Sequence, residues 1–458
     1  MSEIQTFLAA HRDRFMGELF EFLRIPSVSA RSEHDSDTRR SAEWLADRLR
    51  DAGLSAEIME TPKHPVVLGE WKEAGPDAPT LLIYGHYDVQ PPEPLEEWTS
   101  PPFEPEIRDG RIYARGSADD KGQLFMHVKA LEAHLNIHGT LPLNVVVVAE
   151  GEEEIGSPNL VPFVEQFRDR LAADVVVISD SGMFDEGLPA LLFSLRGLAY
   201  CEIHVTAARS DLHSGAYGGA VPNPGMALAR MLATLHDAHG RIAIDGFYDD
   251  VLAWDEETRE AIRDLPFDEE KFLAGVGAPA LSGEEGFSTL ERLWIRPTCE
   301  VNGLLSGYTG EGAKTVLPAR AMAKVSFRLV PDQKPGRVAE LLRTHLEKVA
   351  PEGVRVQVVE LHGGEPWRAN PSGPLFEAAS TALEEAFGTK PVLMGEGGSI
   401  PIVGDFEKVL GAPVLLVGFS LPGCNMHAPD EWLTVDNFQT GIASLTRLYE
   451  ELAESLSG

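Results

Sequence analysis

The sequence predicts an α/β chain: a principal domain whose mixed sheet is flanked by helices, interrupted by an inserted α+β domain. Three observations carry that expectation. Apolar, β-branched runs alternate with amphipathic helical stretches up to about residue 190, as strands buried between layers of helices do. From about Leu192 the pattern changes to apolar–polar alternation in CEIHVTA and RAMAKVSFRLV, with helical stretches such as PGMALARMLATLHDA between them. Such alternation marks half-buried antiparallel strands. After about Pro366 the first texture returns, with a helix expected over Gly373–Phe387 and an apolar strand in PVLLVGF. The expected segments are 1–192 and 367–458 for the principal domain and 193–366 for the insert. A chain of 458 residues, 43% apolar, is long enough to bury two cores.

Taken from the start, MSEIQTFLAAHRDRF reads as the beginning of an amphipathic helix. Its charges interrupt what would have to be the apolar core of a signal peptide. Ser41 to Leu54 places Ala42, Leu45, Leu49 and Leu54 at helical spacing. LLIYGHYDV then reads as a buried strand ending in His86, with Asp88 two residues on. Residues two apart in an extended chain share a face, so Asp88 is expected to hydrogen-bond the far nitrogen of His86. That bond would fix the imidazole's tautomer and raise its basicity, as metal-ligating histidines require.

A second run, Arg111 to Ala118, is expected to be a strand that closes on Asp119 just before a helix. PLNVVVVAEGEEEIGS gives a third, apolar from Val145 to Val148 and followed by the acidic cluster that holds Glu153 and Glu154. DVVVISDSG ends in Asp180, and PVLLVGFSLPGCNMHAPDEW places His427 a short loop beyond another apolar strand. Four strands thus close on His86, Glu153/Glu154, Asp180 and His427, and a strand-to-helix junction supplies Asp119. Side chains gathered in this way form a site at the strand ends of a sheet. Two divalent cations carry about +4, against about −4 from Asp119, Glu154, Asp180 and a bridging hydroxide; two neutral imidazoles complete a neutral cluster suited to zinc or a similar ion. A carboxylate that is not a ligand is then free to act as a base, the arrangement of two-metal hydrolases.

These segments resemble those of the co-catalytic di-zinc metallopeptidases, the family that includes carnosine dipeptidases, glutamate carboxypeptidase, aminoacylase and succinyl-diaminopimelate desuccinylase. The likeness covers nearly the whole chain and is nearest to the cytosolic non-specific dipeptidase branch. It runs through GHYDVQP, ARGSADDKG, EGEEEIGS, DLHSGAYGG, GEGAKTVLP, FRLVP, HGGEPW, EGGSIP and NMHAPDE. The resemblance implies a zinc-exopeptidase-like catalytic domain, an inserted lid and dimerisation domain, and two divalent ions per chain, zinc ahead of manganese or cobalt. By the same likeness His86 and Asp180 hold one ion, Glu154 and His427 the other, and Asp119 bridges them. Glu153 becomes the general base and Asp88 the partner of His86. Glu152, which replaces a hydrophobic residue of the family pattern, is expected to face solvent.

For the insert, the resemblance assigns His213 to stabilising the developing oxyanion in the active site of the partner subunit, which makes a homodimer the catalytic unit. It gives Arg328 the substrate's C-terminal carboxylate, a task suited to a planar, two-pronged donor. Thr315, His362, Gly398 and Ser399 match positions that line the substrate site, and Glu396 is a candidate for a free amino terminus. The implied reaction is hydrolysis of the amide bond of dipeptides with a free C-terminal carboxylate. The rivals are an N-acyl-amino-acid deacylase or desuccinylase on the same scaffold and, more remotely, a non-catalytic binding protein.

Composition narrows the partners. With 72 acidic and 39 basic residues the net charge is −33, which repels nucleic acid and anionic membranes. No run approaches the 18 apolar residues of a membrane span. Cys201, Cys299 and Cys424 are odd in number and scattered, as reduced thiols of a cytoplasmic protein are. Cys424 precedes His427 by three but is not needed as a ligand, because the carboxylate set is complete without it. The acidic stretch 244–293 has no legible pattern; lid surface and subunit contact are the two readings of it.

Overall fold

The computed structural model describes residues 3–398 and 400–457. The chain divides into two compact units, one of Met1–Phe193, Ala369–Met394 and Ile402–Gly458, the other of Ser194–Arg368 and Gly395–Pro401.

The first unit is built on a mixed sheet. Its strands run in the order Ser55–Met59, Val66–Trp71, Asn144–Glu150, Thr80–His86, Val175–Ile178, Val414–Leu416 and Ala190–Leu195. The four in the middle of that order, from Asn144–Glu150 to Val414–Leu416, are parallel. They are also buried along almost their whole length, which explains their uninterrupted Val, Ile and Leu content. The helices Glu3–Leu23, Asp35–Asp51, Lys121–His138, Pro374–Phe387 and Val435–Ser457 contribute Leu19, Phe22, Leu45, Phe125, Leu131, Leu383, Phe438 and Leu445 to one core with the sheet residues Leu81, Ile83 and Val147. Within it the rings of Phe22 and Trp44 stack with centroids 4.7 Å apart.

Two local expectations are corrected here. The helix expected from Ser41 begins at Asp35 and ends at Asp51. Its first turn has no apolar stripe to announce it, but Asp35 and Asp37 suit the positive end of a helix. The strand expected over Arg111–Ala118 is only Arg111–Tyr113, paired with Glu106–Arg108 and Trp432–Thr434 in a separate small sheet. Gly116, at φ +85°, takes a left-handed conformation no strand contains, so residues 114 to 120 form a loop.

The second unit holds an antiparallel sheet in the order Thr298–Ser306, Arg320–Leu329, Gly197–Thr206, Arg355–Gly364. Its two inner strands alternate between buried residues and half-buried or exposed ones. The buried face carries Cys201, Ile203, Val205, Val325 and Phe327, packed with Leu228 and Met231 of Pro224–Leu232 and Leu342 and Leu346 of Pro335–Val349. The acidic stretch that had no sequence pattern contains three short helices, Glu256–Arg263, Glu269–Val276 and Thr289–Trp294. Each begins at a side chain that accepts backbone N–H groups: Asp255, Asp268 and Ser288. Part of that acidity is thus helix capping.

Candidate metal centre

The parallel strands Asn144–Glu150, Thr80–His86 and Val175–Ile178 end at one edge of the sheet. From Thr80–His86 the chain passes first to a neighbour on one side and later to a neighbour on the other, so a crevice opens at His86. Into it come His86 at the end of Thr80–His86, a turn at Glu153–Ile155 after Asn144–Glu150, and Asp180 two residues past Val175–Ile178. Asp119 arrives from the loop before Lys121–His138, and His427 from the loop after Val414–Leu416.

The buried His86 points Nε2 at Asp119 Oδ1, 3.0 Å away, and at Asp180 Oδ2, 3.8 Å away. Its Nδ1 lies 3.1 Å from the carbonyl oxygen of Asp88 and 3.4 Å from Asp88 Oδ1. Nδ1–H donates on that side, which leaves the Nε2 lone pair for the crevice. Asp88 does a second job. Its Oδ1 and Oδ2 accept the backbone N–H groups of Glu153 and Glu154 at 3.2 and 3.1 Å, tying the glutamate turn to the histidine strand. Across the crevice, His427 Nε2 is 2.8 Å from Asp119 Oδ2 and 3.4 Å from Glu154 Oε2. Gln90 Nε2 donates to the same Glu154 oxygen at 2.6 Å.

Ligand atoms of His86, Asp119 and Asp180 all lie within 4.8 Å of one another, and so do those of Asp119, Glu154 and His427. Asp119 belongs to both groups and turns one oxygen to each histidine. Electrostatics tests whether this donor set suits cations. Burial, then the charge of Asp119, pushes the Glu154 carboxyl up to about 10. Burial likewise pushes Glu153 up to about 8 and, with Asp119, Asp180 up to about 6. Burial opposes charge on Asp119 too, yet the hydrogen bonds of His427 and His86 hold it below the ordinary carboxylate range. The cluster holds more anionic groups than it can keep ionised alone. Divalent cations, replacing protons among mixed His and carboxylate donors, fit it.

The structure adds residues that the sequence reading passed over. Glu431, fully buried, accepts from Arg115 Nη1 (2.7 Å) and Gly116 N (3.0 Å) on Oε2. Its Oε1 accepts from Ala118 N (2.8 Å) and Asp119 N (3.1 Å), which braces the loop that carries Asp119. Burial pushes its carboxyl above the ordinary range against those donors. The acid lies inside NMHAPDE, four residues after His427, but nothing local says whom it meets. Asp120 Oδ2 accepts His86 N–H at 3.1 Å, fixing the strand end. A Cβ at Gly122 would lie 1.9 Å from the Ser117 carbonyl, so only glycine lets the helix start against this loop. Glu152, expected to face solvent, is buried: it accepts from His64 N and Asn159 Nδ2, both at 2.7 Å. The turn after Gly151 points this member of the acidic run inward, where backbone and amide donors replace water. Cys424 stays outside both ligand groups, its thiol pushed up to about 11 by burial.

His213, Thr315, Arg328, His362, Glu396 and Gly398 belong to the second unit; Ser399 lies outside the described residues. His213 pairs with Val316, and the Thr315 carbonyl accepts from Ser214 N–H at 3.1 Å. The exposed His213 ring accepts Gly215 N–H on Nδ1 at 3.0 Å, which leaves Nε2–H as a donor. His362 follows a bulge in its strand and sets its ring edge-on to Tyr200 at 5.1 Å. Burial lowers the guanidinium of Arg328. Arg196, which the sequence reading missed, is lowered to about 10 by burial and then by the charge of Arg328. Two guanidinium groups that repel each other in this way suit an anion. The Glu396 carbonyl accepts from Arg196 N–H at 3.1 Å, and Gly398 is exposed.

Comparison with known proteins shows what the chain is similar to. Residues 82–451 match the family described as Peptidase family M20/M25/M40. The sequence is 32% identical to the Cys-Gly metallodipeptidase dug1 of Schizosaccharomyces pombe, over 96% of each chain. Among solved structures, human carnosine dipeptidase 1 is similar with a TM-score of 0.86 at 28% identity, over 99% of both chains. The M20 family metallo-carboxypeptidase Sso-CP2 from Sulfolobus solfataricus is similar with a TM-score of 0.86 at 36% identity, over 96% of this chain and 99% of that one.

Proposed function

The chain belongs to peptidase family M20/M25/M40, and on that premise we propose that it is a dipeptidase cleaving substrates with a free C-terminal carboxylate. The observation that carries the reading is the pair of three-residue donor groups joined through Asp119, with Glu153 beside them and in neither. His86 and Asp180 would hold one ion, Glu154 and His427 the other, and Asp119 both. Zinc is the ion best matched to two imidazoles and three carboxylates, ahead of manganese or cobalt. Bound there, the ions supply a Lewis acid for the scissile carbonyl and a water acidified to near-neutral pKa.

The chain's own residues do the rest. Asp88 holds His86 in the tautomer that leaves Nε2 unprotonated. Glu153 accepts the proton of the attacking water and returns it to the leaving amine. Arg328, with Thr315, His362, Gly398 and Ser399, is assigned to the substrate's carboxylate end, and Glu396 to its amino end. His213, with Nδ1 already occupied, would donate Nε2–H to the developing oxyanion in the partner subunit of a homodimer. Three buried free thiols and the acidic surface fit a cytoplasmic location. Among the described residues no helix is long and apolar enough to cross a membrane.

The test is a substrate panel: free-amine dipeptides against N-acetyl, N-succinyl and N-carbamoyl amino acids and longer peptides, each with a chelator control. Chelator-sensitive cleavage of the dipeptides supports the proposal. Cleavage of the acylated compounds alone would move the chain to the deacylase branch. Release of C-terminal residues from longer peptides would favour a carboxypeptidase.

A further inference from the structure

The helix Lys121–His138 begins beside the metal centre and ends at a second, separate cluster. Its 18 residues span about 27 Å at 1.5 Å per residue. In its last turn His134 and His138 stand four apart, on one face, with ring centroids 4.7 Å apart. Glu450, from Val435–Ser457, completes a third group whose ligand atoms lie within 4.8 Å of one another.

His134 is the informative member. It is 5% exposed, and its Nδ1 lies 3.1 Å from the Thr140 carbonyl oxygen. Nδ1–H therefore donates to the backbone, the contact that commonly orients a metal-binding imidazole. The buried Nε2 then presents a lone pair; it has no hydrogen-bond partner among the described residues and lies 3.5 Å from Glu450 Oε1. A lone pair facing a carboxylate oxygen is repulsive unless a proton or a cation lies between them. Two donors bound tetrahedrally at 2.0–2.1 Å are about 3.3–3.4 Å apart, close to the separation observed.

The surroundings favour positive charge. The C-terminal end of a helix attracts cations. A surface cavity of about 380 Å³ beside the cluster is lined by Glu3, His138, Glu385, Arg447 and Glu450. Arg447 pairs with Glu450 Oε2 and Glu385 at 2.8 Å and with Glu451, so one guanidinium faces three carboxylates. Glu450 Oε1 stays turned toward His134.

We propose that His134, His138 and Glu450 form an accessory site for one divalent cation of the zinc type, which clamps Lys121–His138 to Val435–Ser457. His138 is exposed, so its loss leaves the fold intact. The test is competition titration of the full chain with Zn²⁺ against a chromophoric chelator, for the wild type, H138A and E450Q. The wild type should bind one equivalent more than H138A, and E450Q should hold that equivalent at least tenfold more weakly. Added Zn²⁺ should raise the melting temperature of the wild type further than that of H138A. The same titration on D119A and D119A/H138A keeps this site distinct from the dinuclear centre: the difference of one equivalent should persist when the dinuclear ligands are broken. Equal Zn²⁺ counts and equal thermal shifts in the wild type, H138A and E450Q would overturn the proposal, leaving His134 protonated and ion-paired with Glu450.

Discussion

Replacing Glu431 with glutamine probes how the fold presents the shared carboxylate of the metal centre. Four donors converge on the buried Glu431 side chain: one Arg115 N–H and the backbone N–H groups of Gly116, Ala118 and Asp119. Glutamine keeps one carbonyl oxygen and presents its NH2 to two of those donors. At least two hydrogen bonds involving a charged group are lost, each contributing about 1.5–3 kcal/mol. Arg115, itself 1% exposed, is left without its counter-charge. Removal of one partner from a buried pair costs about 3–5 kcal/mol, and the two figures describe overlapping losses. Glu431→Gln should therefore lower stability by about 3–5 kcal/mol in urea unfolding of the chelated protein, read by tryptophan fluorescence. Because the one remaining oxygen is drawn to the charged Arg115, the NH2 faces Ala118 and Asp119 N–H, and affinity for the dinuclear ions should fall about 10- to 100-fold. A second substitution, Arg115→Met, should cost less on top of Glu431→Gln than alone, because the pair is coupled. A Glu431→Gln protein within about 1 kcal/mol of the wild type, with unchanged metal affinity, would refute the bracing role.

Four further outcomes are expected. Glu153→Gln should keep its metal content while kcat falls by about 10²- to 10⁴-fold; an active, metal-replete variant would remove Glu153 from the role of base. Asp119→Ala deletes the carboxylate common to both candidate donor groups, so metal analysis of the purified protein should show loss of both ions rather than one. Mixed dimers of inactive His213→Ala and Glu153→Gln chains should recover activity through a hybrid site, and no recovery despite proven subunit exchange would argue against action in trans. His127, its ring nitrogens 2.8 Å from Tyr449 Oη and Ser179 Oγ, is lowered by burial from 6.5 to about 3. The unfolded chain binds this proton below pH 6.5 and the native chain does so only near 3. Stability is therefore full above 6.5 and declines as pH falls through that window, by up to about 1.4 kcal/mol per pH unit. His127→Gln should flatten that slope between pH 6.5 and 4 in urea midpoints; an unchanged slope would assign it to other groups.

Much of the donor cluster was legible because its candidate ligands stand where apolar runs stop. His86 and Asp180 close or closely follow strands whose uninterrupted burial forces a continuous Val, Ile and Leu pattern, and the polar residue that ends such a run is conspicuous. Alternation in Gly197–Thr206 and Arg320–Leu329 announced the second unit's sheet for the same reason: one face is buried and the other is not. Asp119 was singled out from its place before a helix, although the strand expected to lead to it is a loop braced from residue 431. Glu152 was misplaced because a run of acids looks solvated until the turn around it is known.

Periodicity and the ends of apolar runs are local properties, so the sequence by itself determined the α/β layering, the antiparallel insert and most of the metal-ligand candidates. Which acid accepts which donor was decided only by tertiary structure. Glu431 meets Asp119 N–H across 312 residues, and Glu450 lies beside His134 because two helices pack together. In both places an isolated charged side chain would rather face water. Burial becomes favourable only when distant donors, or a cation, converge on it, and no local pattern records that convergence.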